Sequence, residues 1–154
     1  MRQGKENLAD IIKEYTGHVV LLHNTREKSI ADLILEEGFV FENQLAHSTD
    51  RINPLDPVET NYFLFHRKEY GQYTIVIAIP KKTYDLYIKH SSSLRVSFEE
   101  LITSEKPWLG DNDEYIYRLA PQHIAGYYDN GLNIMTANVH WSSEYIAYRD
   151  REEF

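Results

Sequence analysis

Only a few places in the 154-residue sequence join a hydrogen-bonding or ionisable side chain to a defined structural setting. His23 ends the apolar run Val19-Val20-Leu21-Leu22, Tyr62 and Tyr73 form a spaced pair with Tyr70 between them, and Glu114 opens the β-forming run Tyr115-Ile116-Tyr117. Other chemistries fail on spacing. The histidines stand at 18, 23, 47, 66, 90, 123 and 140, with no pair close enough to put two imidazoles on one helix face, so no metal is expected. The chain has no cysteine, which removes disulfides and thiolate nucleophiles. Its glycines are scattered, with no GxGxxG or Walker pattern to cradle a phosphate, and Ser91-Ser92-Ser93 lacks the glycine-flanked elbow of an α/β-hydrolase.

The elements that must position these residues are well punctuated in the first forty positions. Leu8, Ile11, Ile12 and Tyr15 fall at helical spacing and predict an N-terminal helix over about 5–16 that Gly17 ends. His18–Leu22 reads as a buried strand, Asn24 or Thr25 as the cap of a second helix carrying Ile30, Leu33 and Ile34, and Gly38 as its stop. Phe39–Phe41, Tyr62–Phe65, Tyr73–Ile79, Tyr115–Leu119 and Ile124–Tyr128 read as strands, with 43–57 a loop. Ser97 and Glu100 make a capping box for a small helix, and Asn130-Gly131 signals a two-residue hairpin into Leu132–Thr136. Ser143–Phe154 reads as a charged helix. No strict βαβ alternation occurs, so the expected class is mostly antiparallel α+β in one domain over 1–154.

Composition bounds the partners. A net charge of −8 opposes double-stranded nucleic acid, whose affinity comes from Lys and Arg neutralising phosphates. The local basic group His66-Arg67-Lys68, with Lys81-Lys82, either meets the pyrophosphate of a small nucleotide or is ordinary solvated surface. No apolar run approaches the ~20 residues of a membrane span, and Met1–Glu6 lacks the apolar stretch of a secretory signal. A cytoplasmic setting is expected, with export as an effector the alternative.

Separate stretches together resemble the His-Tyr-Glu class of ADP-ribosyltransferases, the group of diphtheria-type toxins and poly(ADP-ribose) polymerases. Leu21-Leu22-His23-Asn24-Thr25 followed by Glu37-Gly38-Phe39 is similar to the family strand ending in His-Gly-Ser or His-Gly-Thr, then a helix and a Gly-Phe turn. Asn61-Tyr62-Phe63 running to Tyr73 and a central strand is similar to the family's two tyrosines, and Tyr70 can replace Tyr73. Asn112-Asp113-Glu114-Tyr115-Ile116-Tyr117 with Gln122 resembles the stretch opening on the catalytic glutamate. The likeness covers 18–136, departs at Asn24, where the family has glycine, and is shorter between Tyr62 and Glu114 than in the polymerases.

That resemblance implies a split antiparallel β-sandwich with flanking helices that takes NAD⁺ as substrate. His23 would bond a ribose hydroxyl with Thr25 in support, Asn24 would stand where backbone meets the nicotinamide amide, and Tyr62 with Tyr73 or Tyr70 would stack on the ring. Glu114 would stabilise the oxocarbenium-like ribose as the nicotinamide leaves, and as general base would add ~10²–10⁴-fold. The acceptor of ADP-ribose is left open. A subclass using Arg, a Ser-Thr-Ser strand and a Glu/Gln-x-Glu turn fits less well, because only Ser48-Thr49-Asp50 is similar to it, Asn112 stands where that turn has Glu or Gln two before Glu114, and no Arg occupies the first strand. RNA 2′-phosphate transfer is disfavoured by the acidic balance. The competing class is a module of the same fold that binds a nucleotide or a protein without turnover.

Overall fold

The computed structural model describes residues 7–152 and residue 154. Asn7 caps α1 (Leu8–Ile12) by accepting the Ala9 N–H at 2.8 Å, and a 3-10 turn at Lys13–Tyr15 leads through Gly17 into β1 (His18–Thr25). Next come α2 (Lys28–Glu37), β2 (Phe39–Glu42), β3 (Asp50–Ile52), α3 (Pro57–Arg67), β4 (Tyr73–Pro80), α4 (Lys81–Leu94) and α5 (Phe98–Leu101). A hairpin of β5 (Trp108–Leu109) and β6 (Tyr115–Leu119) is followed by β7 (Ile124–Asp129) and β8 (Ile134–Ala137).

These elements make a mixed α+β fold with two antiparallel sheets, one of order β3-β1-β4-β7-β8 and one of order β2-β6-β5, flanked by helices. The larger sheet is covered on both faces, which explains the near-continuous apolar sequences of β1 and β4. Val19 and Leu21 of β1, with Ile75, Ile77 and Ile79 of β4, face a core shared with Ile34, Phe39, Phe41, Leu119 and Tyr87. Val20 and Leu22, with Val76 and Ala78, face a second core against Leu8, Ile11 and Ile12. By the two-residue strand period, His23 falls on the first of these faces, where the larger sheet meets the smaller. Within the smaller sheet Gly38 lets β2 start close to β6: at φ 105, a Cβ there would lie 2.3 Å from the Leu119 carbonyl oxygen.

Several sequence expectations need correction. Tyr62–Phe65 is helical, inside α3, because Asp56 accepts the Glu59 N–H at 3.0 Å and Pro57 occupies the first turn, so helix-start chemistry outweighs the β propensity of four residues. β1 runs on through Asn24 and Thr25, neither of which caps α2; Glu27 stands at that position without a side-chain bond. The stretch 43–57 holds a 3-10 turn at Leu45–His47 and β3. The β7–β8 hairpin closes with four residues instead of two, Asp129 pairing with Ile134 and Asn133 at φ 56. Among the described residues of 143–154 the helical element is the turn Ala147–Asp150, since Tyr145 and Tyr148 pack edge-on against His123 and Tyr87 and hold the segment by tertiary contact. Helix α4 was not expected at all. The N-terminal helix is shorter than 5–16, and its first residues, with the leader reading of Met1–Glu6, lie outside the described residues, as does position 153.

The first core contains a buried polar relay. Ala147 donates its N–H to the Tyr87 hydroxyl at 2.9 Å, and that hydroxyl shares a hydrogen bond with His123 Nε2 at 2.6 Å. The other ring nitrogen, Nδ1, is buried without a partner. Burial lowers the His123 pKa from 6.5 to about 3 and raises that of Tyr87. Between those values the unfolded chain holds the proton that folded His123 refuses, so stability is full above pH 6.5 and falls as the pH drops towards 3. Urea unfolding at a series of pH values is expected to show this loss, with His123 contributing up to about 1.4 kcal/mol per pH unit. His123→Gln, which keeps an acceptor for Tyr87 but does not titrate, should flatten the profile; an unchanged slope would show that His123 is not the group responsible.

Candidate functional site

β1 extends past its neighbour. The β1–β3 ladder ends at Leu22 opposite Asp50, whereas the β1–β4 ladder continues to Thr25 opposite Tyr73. Residues 23–25 thus have strand pairing on one side only, and a cavity of about 590 Å³ opens on this stretch, with His23, Asn24, Ser48, Asp50, Arg67 and Tyr70 among its lining. A second cavity of about 250 Å³, mainly apolar and lined by Ile30, Leu33, Phe39, Val40 and Arg118, also includes His23. The imidazole is the residue common to both, and its ring centroid stands 4.7 Å from that of Phe39.

Geometry fixes which ring nitrogen of His23 carries the proton in its neutral form. Its Nδ1 lies 2.8 Å from the Ser48 carbonyl oxygen, and because a carbonyl only accepts, Nδ1 must donate. Ser48 is itself fixed: its N–H donates to the Leu45 carbonyl at 3.1 Å, and the neighbouring Thr49 hydroxyl donates to the same oxygen at 3.0 Å. Desolvation lowers the His23 pKa below 6.5, against the opposing Ser48 bond and with a smaller contribution from the Arg67 charge. The neutral ring therefore keeps a lone pair on Nε2, which bonds no protein group among the described residues. That atom suits a donor such as a sugar hydroxyl.

The other sequence-derived residues are dispersed around this point. Asn24 is buried in the β1–β4 seam, its Nδ2 donating to the Gly71 carbonyl and to the Thr74 hydroxyl, both at 3.0 Å. This ties down the turn that carries Tyr70, and Gly71 at φ 151 sits so close to Thr25 that a Cβ would lie 2.3 Å from its carbonyl. Tyr70 is exposed and lines the polar cavity. Tyr73 pairs with Thr25 across the ladder and packs edge-on against Tyr127 at 5.8 Å. Tyr62 is exposed on α3 against Phe63 and His66 and lines neither cavity at His23.

Glu114 lies in the β5–β6 turn, where its carboxylate accepts the Asn112 N–H at 2.8 Å. Leu119 pairs with Phe39, so Glu114 stands five residues along β6 from the level of His23, roughly 17 Å at about 3.4 Å per residue. It lines neither cavity. The structure therefore brings His23, Asn24 and Tyr70 to one cavity and leaves Tyr62 and Glu114 outside it. The sequence reading missed Ser48, Asp50 and Phe39 as parts of the site, and it had noticed Arg67 only within a basic triplet. Their signal is tertiary, since 25 residues separate His23 from Ser48. Among the described residues no group of three or more His, Cys, Asp or Glu is arranged to hold a metal ion.

Comparison with protein-family models, with curated proteins and with solved structures yields no match to this chain.

Side-chain ¹⁵N–¹H correlation spectra should show His23 as the neutral Nδ1–H tautomer at pH 6.5, protonating only at lower pH. A ring already half protonated at that pH would contradict desolvation as the dominant influence, and an Nε2–H tautomer would contradict the Ser48 bond as the fixing contact.

Proposed function

We propose that this domain binds NAD⁺ in the manner of the ADP-ribosyltransferases, with His23 at the centre of the cleft. The observation that carries the reading is the neutral, carbonyl-locked imidazole between two cavities of different character. The apolar cavity suits a flat base against Phe39, and the polar one suits ribose and phosphate, while His23 Nε2 accepts a ribose hydroxyl. The unpaired β1 edge at 23–25 offers backbone groups to a carboxamide, and Tyr70 offers an aromatic face at the cavity mouth. Two antiparallel sheets with flanking helices are the coarse architecture that the resemblance implies.

Transfer of ADP-ribose would require Glu114 to reach the ribose carbon as the nicotinamide bond breaks, placing a carboxylate beside developing positive charge. Its bond to Asn112 within the β5–β6 turn favours a second reading, in which the cleft holds the nucleotide without turnover. The two readings share the binding step and divide at Glu114.

Calorimetry with NAD⁺ and an assay for released nicotinamide test both. His23→Ala should weaken NAD⁺ binding about tenfold, the equivalent of one hydrogen bond of ~1.4 kcal/mol. If the domain is a transferase or glycohydrolase, the wild-type chain releases nicotinamide and Glu114→Gln slows that release at least ~10²-fold. Binding without release selects the second reading, and a wild-type chain that fails to bind NAD⁺ overturns both.

A further inference from the structure

We propose that Arg67 forms a phosphate subsite in the polar cavity beside His23, so that this cavity selects a phosphorylated nucleotide over the corresponding nucleoside. The inference rests on reading the His23 cleft as a ligand site and adds to it the residue that chooses the ligand's charge.

Arg67 is the last residue of α3, and its side chain folds inward until only 12% of it is exposed. Its atoms are accounted for unequally. Nη2 pairs with the carboxylate of Asp50, the first residue of β3, and Nε is buried with no partner. Nη1 bonds no described residue and is not among the buried unpartnered atoms, so it is the part of the fork that remains open. Arg67 lines the cavity that contains His23, and its charge is felt at the imidazole. An open guanidinium N–H in a recess is a strong donor to an anionic oxygen, because charge-assisted bonds are roughly twice as strong as neutral ones.

Neighbouring charges leave this role to Arg67. Of the residues lining this cavity Arg67 is the permanently charged cation, beside the imidazoles of His23 and His47, and Lys68 lies over the Phe65 ring at 4.5 Å. Asp50 is the acid on the cavity wall, and it occupies one side of the same fork. It therefore orients Arg67 and also competes with an incoming phosphate. A guanidinium serving only to pin α3 to β3 would not discriminate between ligands that differ by a phosphate, and that difference is the readout.

The full-length chain is titrated calorimetrically with AMP and adenosine, and with nicotinamide mononucleotide and its riboside. Wild type should favour the phosphorylated member of at least one pair by about tenfold or more, as expected for one charge-assisted contact. Arg67→Gln should erase that preference, lowering affinity for the phosphorylated member far more than for its nucleoside. Should Arg67→Gln fail to fold, Arg67→Lys, which keeps the charge but loses the fork, should reduce the preference severalfold, and Asp50→Asn should strengthen it. A preference that persists in a folded Arg67 variant, or that wild type lacks in both pairs, overturns the phosphate subsite. If NAD⁺ binds and His23→Ala weakens it while Arg67 variants bind normally, only the subsite fails; if phosphate preference depends on Arg67 but NAD⁺ does not bind, only the NAD⁺ reading fails.

Discussion

The antiparallel ladder of β1 and β4 is the constraint on which the other elements settle. Eight residue pairs, from His18 opposite Pro80 to Thr25 opposite Tyr73, align two apolar strands whose side chains alternate between two cores. A one-residue slip would exchange the cores and carry His23 to the opposite face. Because β1 outruns β3 by three residues while β4 accompanies it to the end, the ladder also creates a strand end with one open side. The cleft thus follows from unequal strand lengths within a well-defined register.

Hydrogen bonds outside the ladder convert that open strand end into a shaped cavity. The 45–49 turn is closed by its own backbone and by Thr49, and it delivers the Ser48 carbonyl to His23. On the other wall Asn24 reaches across to Gly71 and Thr74, and Asn130 secures Gln72 and Thr74, so the Tyr70 turn rests on the sheet. The smaller sheet supplies Phe39, and Gly38 permits its close approach to Leu119. A site built in this way pre-organises one acceptor nitrogen, one aromatic face and one guanidinium without a metal-like cluster of ligands among the described residues.

The legible parts of the sequence were those whose local pattern agreed with their burial. Val-Val-Leu-Leu and Tyr73–Ile79 read as strands because both faces of the larger sheet are covered, and Ser97 caps α5 by accepting the Glu100 N–H at 3.1 Å. Helix α3 was misread because its aromatic run has high β propensity, although Asp56-Pro57 carries a helix-start signal. Helix α4 escaped because it buries only Thr83 and Tyr87, leaving almost no apolar period to detect. His23 could be singled out from the sequence as a polar residue after an apolar strand. Its partners could not, because Ser48, Arg67 and Phe39 reach it through turns and sheet packing that no short motif encodes. Glu114 differs again: the residues around it resemble a family stretch in sequence, while the register of β2 and β6 sets it well away from the level of His23.

The central claim is that ligand recognition is focused on the open end of β1. Amide chemical-shift mapping during titration with NAD⁺ tests this directly. The account predicts that the largest shifts fall on His23, Asn24, Ser48, Thr49, Arg67 and Tyr70, with Phe39 and Val40 following. Shifts centred instead on the separate asparagine-rich cavity of Asn61, Asn130 and Asn133, or shifts absent from both walls of the His23 cleft, would contradict it.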